Sequence, residues 1–448
     1  MTVQHDFDVT IIGAGIAGIA TAYYLSRAKK IRLGLVDALP VMSFTSAQSG
    51  DNFRNWWPHP VMTDFMNHSI DLMEEVAKAA DNRINMKHGG YLLATRNPSI
   101  HRYLETLESA SVAANEAAVR IHDGSINNYQ ASLGKPTTGV DILTNSKSIR
   151  TIYPHLDQRI KNIIHIRRAG DISGQQLGQT MLDAIREGNG HLVRGQVTGI
   201  ETGQGFLIRL DNGQSIRTER LVLAAGPFIN QLLNGLDEQL PMINVLQQKL
   251  AFADERHAVP RNQPFVVDLD PQQLDWTDEE RDMIAGDVVY QRLAVELPGG
   301  VHCRPEGGRH GEWVKLGWAF NRTASEPDWS PALDDFFPEI VLRGAARLNP
   351  GLKRYYEALP VKRSHYGGYY TMTEENWPII GPLATPDAFV VGALSGFGSM
   401  AACAAGSLCA NWVMGKGLPD YAGVLSLQRY SDDSLMEELR ALNETGSL

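Results

Sequence analysis

FDVTIIGAGIAGIATAYYLSRAKKIRLGLVD, residues 7–37, is the stretch from which the rest of the chain is organised. Phe7 to Ile12 is a β-rich apolar run, Gly18 to Ala28 has helical spacing with Ile19, Ala22, Tyr23 and Leu25 on related faces, and Arg32 to Asp37 is a second strand. Together they form a β-α-β unit. Gly13-Ala14-Gly15-Ile16-Ala17-Gly18 follows the strand and opens the helix, the context in which GxGxxG carries information. Gly13 permits the tight turn, Gly15 lets the backbone approach a pyrophosphate, and Gly18 lets helix pack on strand. The helix N-terminus offers N–H groups to phosphates. Asp37 closes the second strand roughly twenty residues on, where a carboxylate can accept from a ribose diol. The motif predicts a dinucleotide site and does not by itself separate FAD from NAD.

Farther along, Val197–Glu201 and Phe206–Leu210 read as strands, with Asp211-Asn212-Gly213 as a hairpin turn before Ser215-Ile216. Leu221–Ala225 is another apolar strand. From about 240 to 360 the pattern changes to aromatic, strand-like pieces between Pro/Gly turns, with a helix expected over Pro331–Leu348. Ala388–Gly415 has no charged residue and is long enough to span a bilayer, but Gly396-Phe397-Gly398 splits it into a strand and a helix. A buried strand-turn-helix is therefore expected, and no membrane span.

The 448 residues, 43% hydrophobic and 21% charged, suffice for two lobes, and a net charge of -10 without a Lys/Arg-rich run excludes a nucleic-acid partner. Three cysteines without paired CxxC spacing support neither a disulfide framework nor a metal site. The acidic residues and glycine turn near the start are wrong for a signal peptide, so the location expected by default is cytoplasmic.

Several segments, in this order and spacing, resemble the D-amino-acid oxidase/sarcosine oxidase-like flavoproteins. They are Asp8–Asp37, TSAQSGDNFR (45–54), PHLDQRIKNIIHIRRAGDISGQQLGQTMLDAIREGNG (154–190), RLVLAAGPF (220–228), EWVKLGW (312–318), and YYTMTEENWPIIGP (369–382) through GALSGFGSMAACAAG (392–406). The resemblance implies a mixed α/β fold with a Rossmann-like FAD-binding lobe assembled from discontinuous segments (1–85, 148–235 and 360–448). An antiparallel-sheet substrate lobe is expected over 86–147 and 236–359.

It also implies site residues. Thr45, Ser46 and Gln48 would meet phosphate and ribitol groups, Val197 the adenine, and Ala225-Gly226 the side of the dinucleotide. Gly396-Phe397-Gly398-Ser399-Met400 opens the last long helix, whose amides would face the flavin edge that becomes negative on reduction. A lone lysine on an apolar strand ordinarily points to solvent. In sarcosine oxidase-like members, however, a lysine in a matching KLG(Y/W) segment lies over the flavin and favours electron transfer to oxygen, which gives Lys315 a catalytic role. Trp56, Trp57 and His59 fall where relatives line the substrate cavity, the aromatic rings being either cavity wall or plain core, and an arginine that assists in relatives is replaced near Trp56, with Arg54 two residues away as the substrate-binding candidate. His365, Tyr366 and Tyr370 fall where relatives face the substrate, or are structural strand residues.

The departures from that pattern matter too. Gly368-Tyr369-Tyr370-Thr371 lacks the linking cysteine of Cys-x-Tyr-Thr, and Ala47-Gln48 lacks the linking histidine of dimethylglycine-type relatives, so the FAD is expected to be non-covalent. Met400 stands where sarcosine oxidases fix the substrate carboxylate with a lysine, so a simple N-methyl glycine is not supported.

The activity implied is oxidation of a C–N bond in a small amine or amino-acid-like molecule, by hydride transfer to flavin N5 and reoxidation by O2. Two alternatives are a flavin monooxygenase, whose Gly-Asp motif Gly170-Asp171 superficially matches, and a flavin-carrying subunit passing electrons to a partner protein. The amine and the oligomeric state are not legible.

Overall fold

A computed structural model of the chain describes residues 5–28, 31–101, 104, 105, 107, 108, 119–124, 129, 131, 138–188 and 190–444. Part of the expected substrate-lobe segment 86–147 lies outside the described residues. Two large sheets organise what is described.

The eight-stranded sheet contains β1 (His5–Ile12), β2 (Leu33–Asp37), β9 (His191–Arg194), β10 (Val197–Gly203), β11 (Gly205–Leu210), β12 (Ser215–Leu223), β18 (Ile379–Pro382) and β19 (Ala388–Gly392). β1 lies between β2 and β12, parallel to both. β12 pairs along its first half with β11 through the expected hairpin and at its end with β19, in parallel. β1 contributes side chains to two cores. Val9 and Ile11 enter the core under the helices Ile16–Ser26 and Gly398–Met414, while Phe7 and Ile12 enter a second core on the other face with Val36, Leu221 and Val390. Those two helices, from opposite ends of the chain, touch so closely that a Cβ at Gly406 would lie 2.5 Å from the carbonyl carbon of Ala20.

The nine-stranded sheet runs in the order β17 (Arg363–Met372), β13 (Ile243–Ala253), β16 (Trp313–Gly317), β15 (His302–Glu306), β14 (Phe265–Asp268), β4 (Tyr91–Thr95), β7 (Asn162–Ile166), β6 (Val140–Leu143), β5 (Val119–His122). It is mixed rather than wholly antiparallel, because β14–β4 and β5–β6 are parallel pairs. β7 and β17, from segments 148–235 and 360–448, sit in this sheet, so the chain crosses between the two sheets inside those segments. A two-stranded ribbon of β3 (Asn52–Arg54) and β8 (Ala169–Asp171) completes the set. Gly170-Asp171 thus belongs to a ribbon strand.

The helix expected over Pro331–Leu348 forms only over Phe337–Leu348, with Pro338 in its first turn. Its apolar stripe covers one face of the nine-stranded sheet through Ile340, Val341 and Ala345. The apolar stretch 388–415 is β19, a glycine turn and the helix Gly398–Met414, as its interrupting glycines require. Among the described residues no helix is long and apolar enough to cross a membrane.

Candidate active site

Helix starts show where the eight-stranded sheet takes its ligand. His59 caps Pro60–Ala79, accepting from the Val61 amide at 3.2 Å, and Ser173 caps Gly174–Glu187, accepting from the Gln176 amide at 3.3 Å. Ile16–Ser26 and Gly398–Met414 begin with Gly15 and Phe397 and have no side-chain cap from those residues. Apart from the Ile16 amide, which Ser46 Oγ accepts, their first-turn amides are left for something else. Both starts contribute to one groove, lined by Gly13–Ala17, Asp37, Thr45, Ser46, Val197, Ala225, Gly226, Leu394, Ser395 and Gly398, among others.

The glycines shape that groove differently. A Cβ on Gly13, whose φ is +109°, would lie 2.4 Å from Ala224 O, and one on Gly18 would lie 1.8 Å from Gly13 O. These two positions bring strand and helix together. On Gly15 a Cβ would meet only Ser46 Oγ, at 3.1 Å, so this glycine keeps the groove itself open. The Asp37 carboxylate accepts from the Ala14 amide at 2.6 Å and the Leu39 amide at 2.7 Å, while burial pushes its pKa up. Each oxygen retains a lone pair for a further donor. Ser46 Oγ accepts from Ile16 N–H at 3.0 Å, and Thr45, whose Oγ1 is buried and without a partner among the described residues, lines the groove. A glycine-walled cradle, two helix starts without a side-chain cap from the residue before them, a half-buried carboxylate and an orphaned hydroxyl fit a long diphosphate-bearing cofactor.

Other expected cofactor contacts stand behind this lining. A Cβ on Gly396 would lie 2.5 Å from the Tyr370 ring, so this glycine is needed for packing. Phe397 packs edge-on against Trp57, at 5.1 Å between ring centres. Ser399 Oγ bonds Ser49 Oγ at 2.7 Å, and Met400 is buried in the core with its carbonyl accepting from Ser69 Oγ at 2.5 Å. Gln48 packs beside Gly368, where a Cβ would approach Gln48 Cβ to 3.0 Å. Just before the helix, Ala393 (φ +53°) and Ser395 (φ +45°) adopt the left-handed region without being glycine. Such strain collects at functional sites.

The nine-stranded sheet presents the second half of the site. Strand alternation puts Lys249, Lys315, Arg304, His302, Tyr366 and Tyr370 on one face, because Lys249 pairs with Tyr366 and Gly317, Ala251 with Lys315, and Lys315 with Arg304. His365 is one residue out of phase. It stacks on Phe337 at 5.7 Å and bonds Gln248 Oε1 at 2.8 Å, on the opposite face from Tyr366 and Tyr370. Its expected place beside the substrate is corrected by this register.

Lys315 is not a lone cation. Its Nζ lies 3.1 Å from Glu306 Oε2, which Arg304 also approaches at 2.7 Å. Burial pulls the pKa of Lys315 below the usual lysine value, against the opposing pull of Glu306. Arg54 is 3% exposed, and its Nε and Nη1 have no hydrogen-bond partner among the described residues. Its guanidinium lies 4.4 Å from the centre of the Trp57 ring and 5.1 Å from that of Tyr91. Trp56 belongs to the core with Tyr91 and Leu93, and His59 is occupied as a helix cap and by Glu438, 3.2 Å away. Trp56 thus takes the core place that its ring allowed.

Two features escaped the sequence reading. Phe44, Phe228, Trp329 and Tyr369 line the groove, with Phe228 and Trp329 stacked at 4.0 Å. Lys249, 5% exposed, lies with its ammonium 5.6 Å from the centre of the Tyr370 ring. Its KLAFA context gives the same apolar-strand signal as Lys315.

A family model described as DAO, FAD dependent oxidoreductase, matches residues 8–412. The chain belongs to the DAO family of FAD-dependent oxidoreductases. This DAO-family enzyme is 24% identical over 251 residues to human peroxisomal sarcosine oxidase, a match covering 54% of the chain and 56% of that relative, so it spans about half the relative's length. L-proline dehydrogenase from P. horikoshii shares its fold with a TM-score of 0.72 at 16% identity, over 96% of this chain and 99% of that one. Glycine oxidase from Geobacillus kaustophilus does so with a TM-score of 0.69 at 17% identity, over 95% and 99%. The cofactor that the groove fits is therefore FAD.

Proposed function

We propose that this enzyme oxidises the C–N bond of an amine that carries a carboxylate, an amino acid or a close analogue, with molecular oxygen as the electron acceptor. The observation that carries this reading is Arg54. A guanidinium 3% exposed, held between two aromatic rings with two nitrogens unpartnered, lacks the counter-charge that burial ordinarily demands. A carboxylate supplies it in bidentate geometry. The names of the relatives, which concern sarcosine, proline and glycine, agree with such a substrate.

When bound, FAD supplies the two-electron acceptor that turns the amine into an imine, which water hydrolyses. Gly13, Gly15 and Gly18 shape its cradle, Asp37 holds the ribose, and Thr45, Ser46 and the start of Ile16–Ser26 bind the phosphates. Val197, Ala225 and Gly226 border the dinucleotide. The start of Gly398–Met414 places N–H dipoles where negative charge develops. Arg54 fixes the carboxylate, while Tyr366 and Tyr370 wall the amine. Lys315 stabilises the negative charge that oxygen acquires. Gly368 and Gln48 offer no thiol or imidazole, so FAD is held without a covalent bond.

The test is anaerobic bleaching of the flavin by a panel of amines and amino acids, in wild type and Arg54→Met. Bleaching by carboxylate-bearing amines, with their KM raised on the order of 10-fold or more in the variant, is expected. Reduction by simple amines alone, or an unchanged KM, overturns the reading.

A further inference from the structure

The face that carries Lys315 holds a second buried cation to which the foregoing reading gives no task. Lys249 is 5% exposed, and burial pushes its pKa down to about 8. The one charge favouring its protonated form among the described residues is Asp51, with which it makes no ion pair. Asp51 Oδ2 accepts from the Gly174 amide at 3.1 Å, while Oδ1 has no hydrogen-bond partner among the described residues. The other cations on this face are spoken for, since Glu306 takes Lys315 at 3.1 Å and Arg304 at 2.7 Å.

A continuous set of rings connects Lys249 to Arg54. The Arg54 guanidinium is 5.1 Å from the Tyr91 ring centre, Tyr91 is 4.5 Å from Phe265, and Phe265 is 5.0 Å from His302. His302 packs against Gly317, which pairs directly with Lys249. From the other side Tyr370 lies beneath the Lys249 ammonium and against Gly396. Arg54 and Lys249 are thus linked through one chain of packed side chains, and among the described residues neither pairs with a carboxylate. A single carboxylate answers only one of them.

We infer that Lys249 binds a second anionic group of the substrate, so that the enzyme takes an amine bearing two acidic groups, one held by Arg54 and the other by Lys249. This rests on the carboxylate reading of Arg54 and extends it.

Holoenzyme titrated with propionate and malonate, butyrate and succinate, or valerate and glutarate, none of which is an oxidisable amine, reports binding through the flavin absorption band. In at least one pair the diacid is expected to bind about 10- to 100-fold more tightly than the monoacid. Lys249→Gln is expected to abolish that advantage while leaving the monoacid's Kd within about twofold, and Lys249→Arg to keep it. Equal binding of diacid and monoacid in every pair overturns the inference, and the wild-type enzyme alone gives that answer whether or not the variant folds. Equal weakening of both by Lys249→Gln also overturns it. Arg54→Met separates the two readings. Monoacid binding untouched by that change sinks the Arg54 reading, whereas a diacid advantage that still vanishes in Lys249→Gln upholds the second anion site.

Discussion

Lys315 Nζ and Glu306 Oε2 are 3.1 Å apart on the sheet face shared with Tyr366 and Tyr370. The cation assigned to oxygen chemistry therefore works with its charge partly cancelled, and its counter-ion is a control on that chemistry. Lys315→Met is expected to slow reoxidation of the reduced enzyme by oxygen on the order of 10²–10³ while leaving anaerobic reduction nearly unchanged. Glu306→Gln, which uncovers the ammonium, is expected to leave reoxidation at or above the wild-type rate. Stopped-flow measurement of the two half-reactions decides. A fall in both half-reactions for both variants places the pair in the architecture of the sheet.

The glycine turn predicts a division of labour between neighbouring positions. Gly15→Ala is expected to fold, because its φ of -73° suits alanine and its Cβ meets only Ser46 Oγ, yet to lose FAD affinity as the methyl intrudes on the groove. Gly18→Ala drives a methyl into Gly13 O and is expected to yield little soluble protein. Flavin content per folded chain, from absorbance and circular dichroism, separates the two. Full occupancy in Gly15→Ala contradicts its place at the pyrophosphate.

Acid precipitation of the yellow protein is expected to leave intact FAD in the supernatant. Gly368 supplies no thiol, and the thiols of Cys303, Cys403 and Cys409 are all buried. Flavin retained in the pellet contradicts a non-covalent cofactor.

The pH dependence of diacid binding follows from Lys249. The ammonium is charged below its pKa of about 8 and neutral above it, so the diacid advantage is expected to be full near pH 6.5 and to decline as pH rises through about 8. Among the groups around it, burial keeps His302 neutral with a pKa near 4 and raises Tyr370 to about 12, so neither titrates in that window. Asp51, Arg304 and Tyr366, whose pKa burial raises, also surround it, together with Lys315, whose pKa is lowered by burial. Lys249→Arg is expected to flatten the profile, and a decline that persists in that variant assigns the step to Lys315.

Arg429 and Glu375 form an ion pair at 2.5 Å, with side chains 0% and 1% exposed. Glu375→Leu strands a buried guanidinium and is expected to cost about 3–5 kcal/mol in denaturation of the holoenzyme. Glu201→Leu, at the exposed pair with Arg209, is expected to leave the unfolding midpoint unchanged.

What the sequence made legible follows the physics of each signal. The β-α-β start, the Asp211-Asn212-Gly213 hairpin and the strand-turn-helix return are local patterns, and all three form where the residues dictate. Sheet membership is non-local. Nothing in 162–166 or 363–372 says which sheet those strands join, because a buried strand reads alike in either. His365 was misplaced for a related reason, since one residue of register turns a side chain to the other face. Lys249 and Lys315 carry the same local signal, and only the partner strands reveal that one has a carboxylate while the other has none. The burial of Trp56 and the capping by His59 likewise depend on neighbours distant in the chain.

The helices Ile16–Ser26 and Gly398–Met414 meet backbone against backbone at Gly406, and the groove draws its lining from both ends of the chain. The order of synthesis therefore differs from the order of assembly. The glycine turn leaves the ribosome well before the wall formed by Val391, Leu394, Ser395 and Gly398, which lies more than 370 residues farther along the chain. Contacts of such long sequence separation form slowly, so the end of β12 must wait for β19 with an exposed edge. Cofactor capture is then a closing step of folding, and a chain cut short before residue 390 retains the fingerprint of a dinucleotide enzyme without the means to hold a dinucleotide.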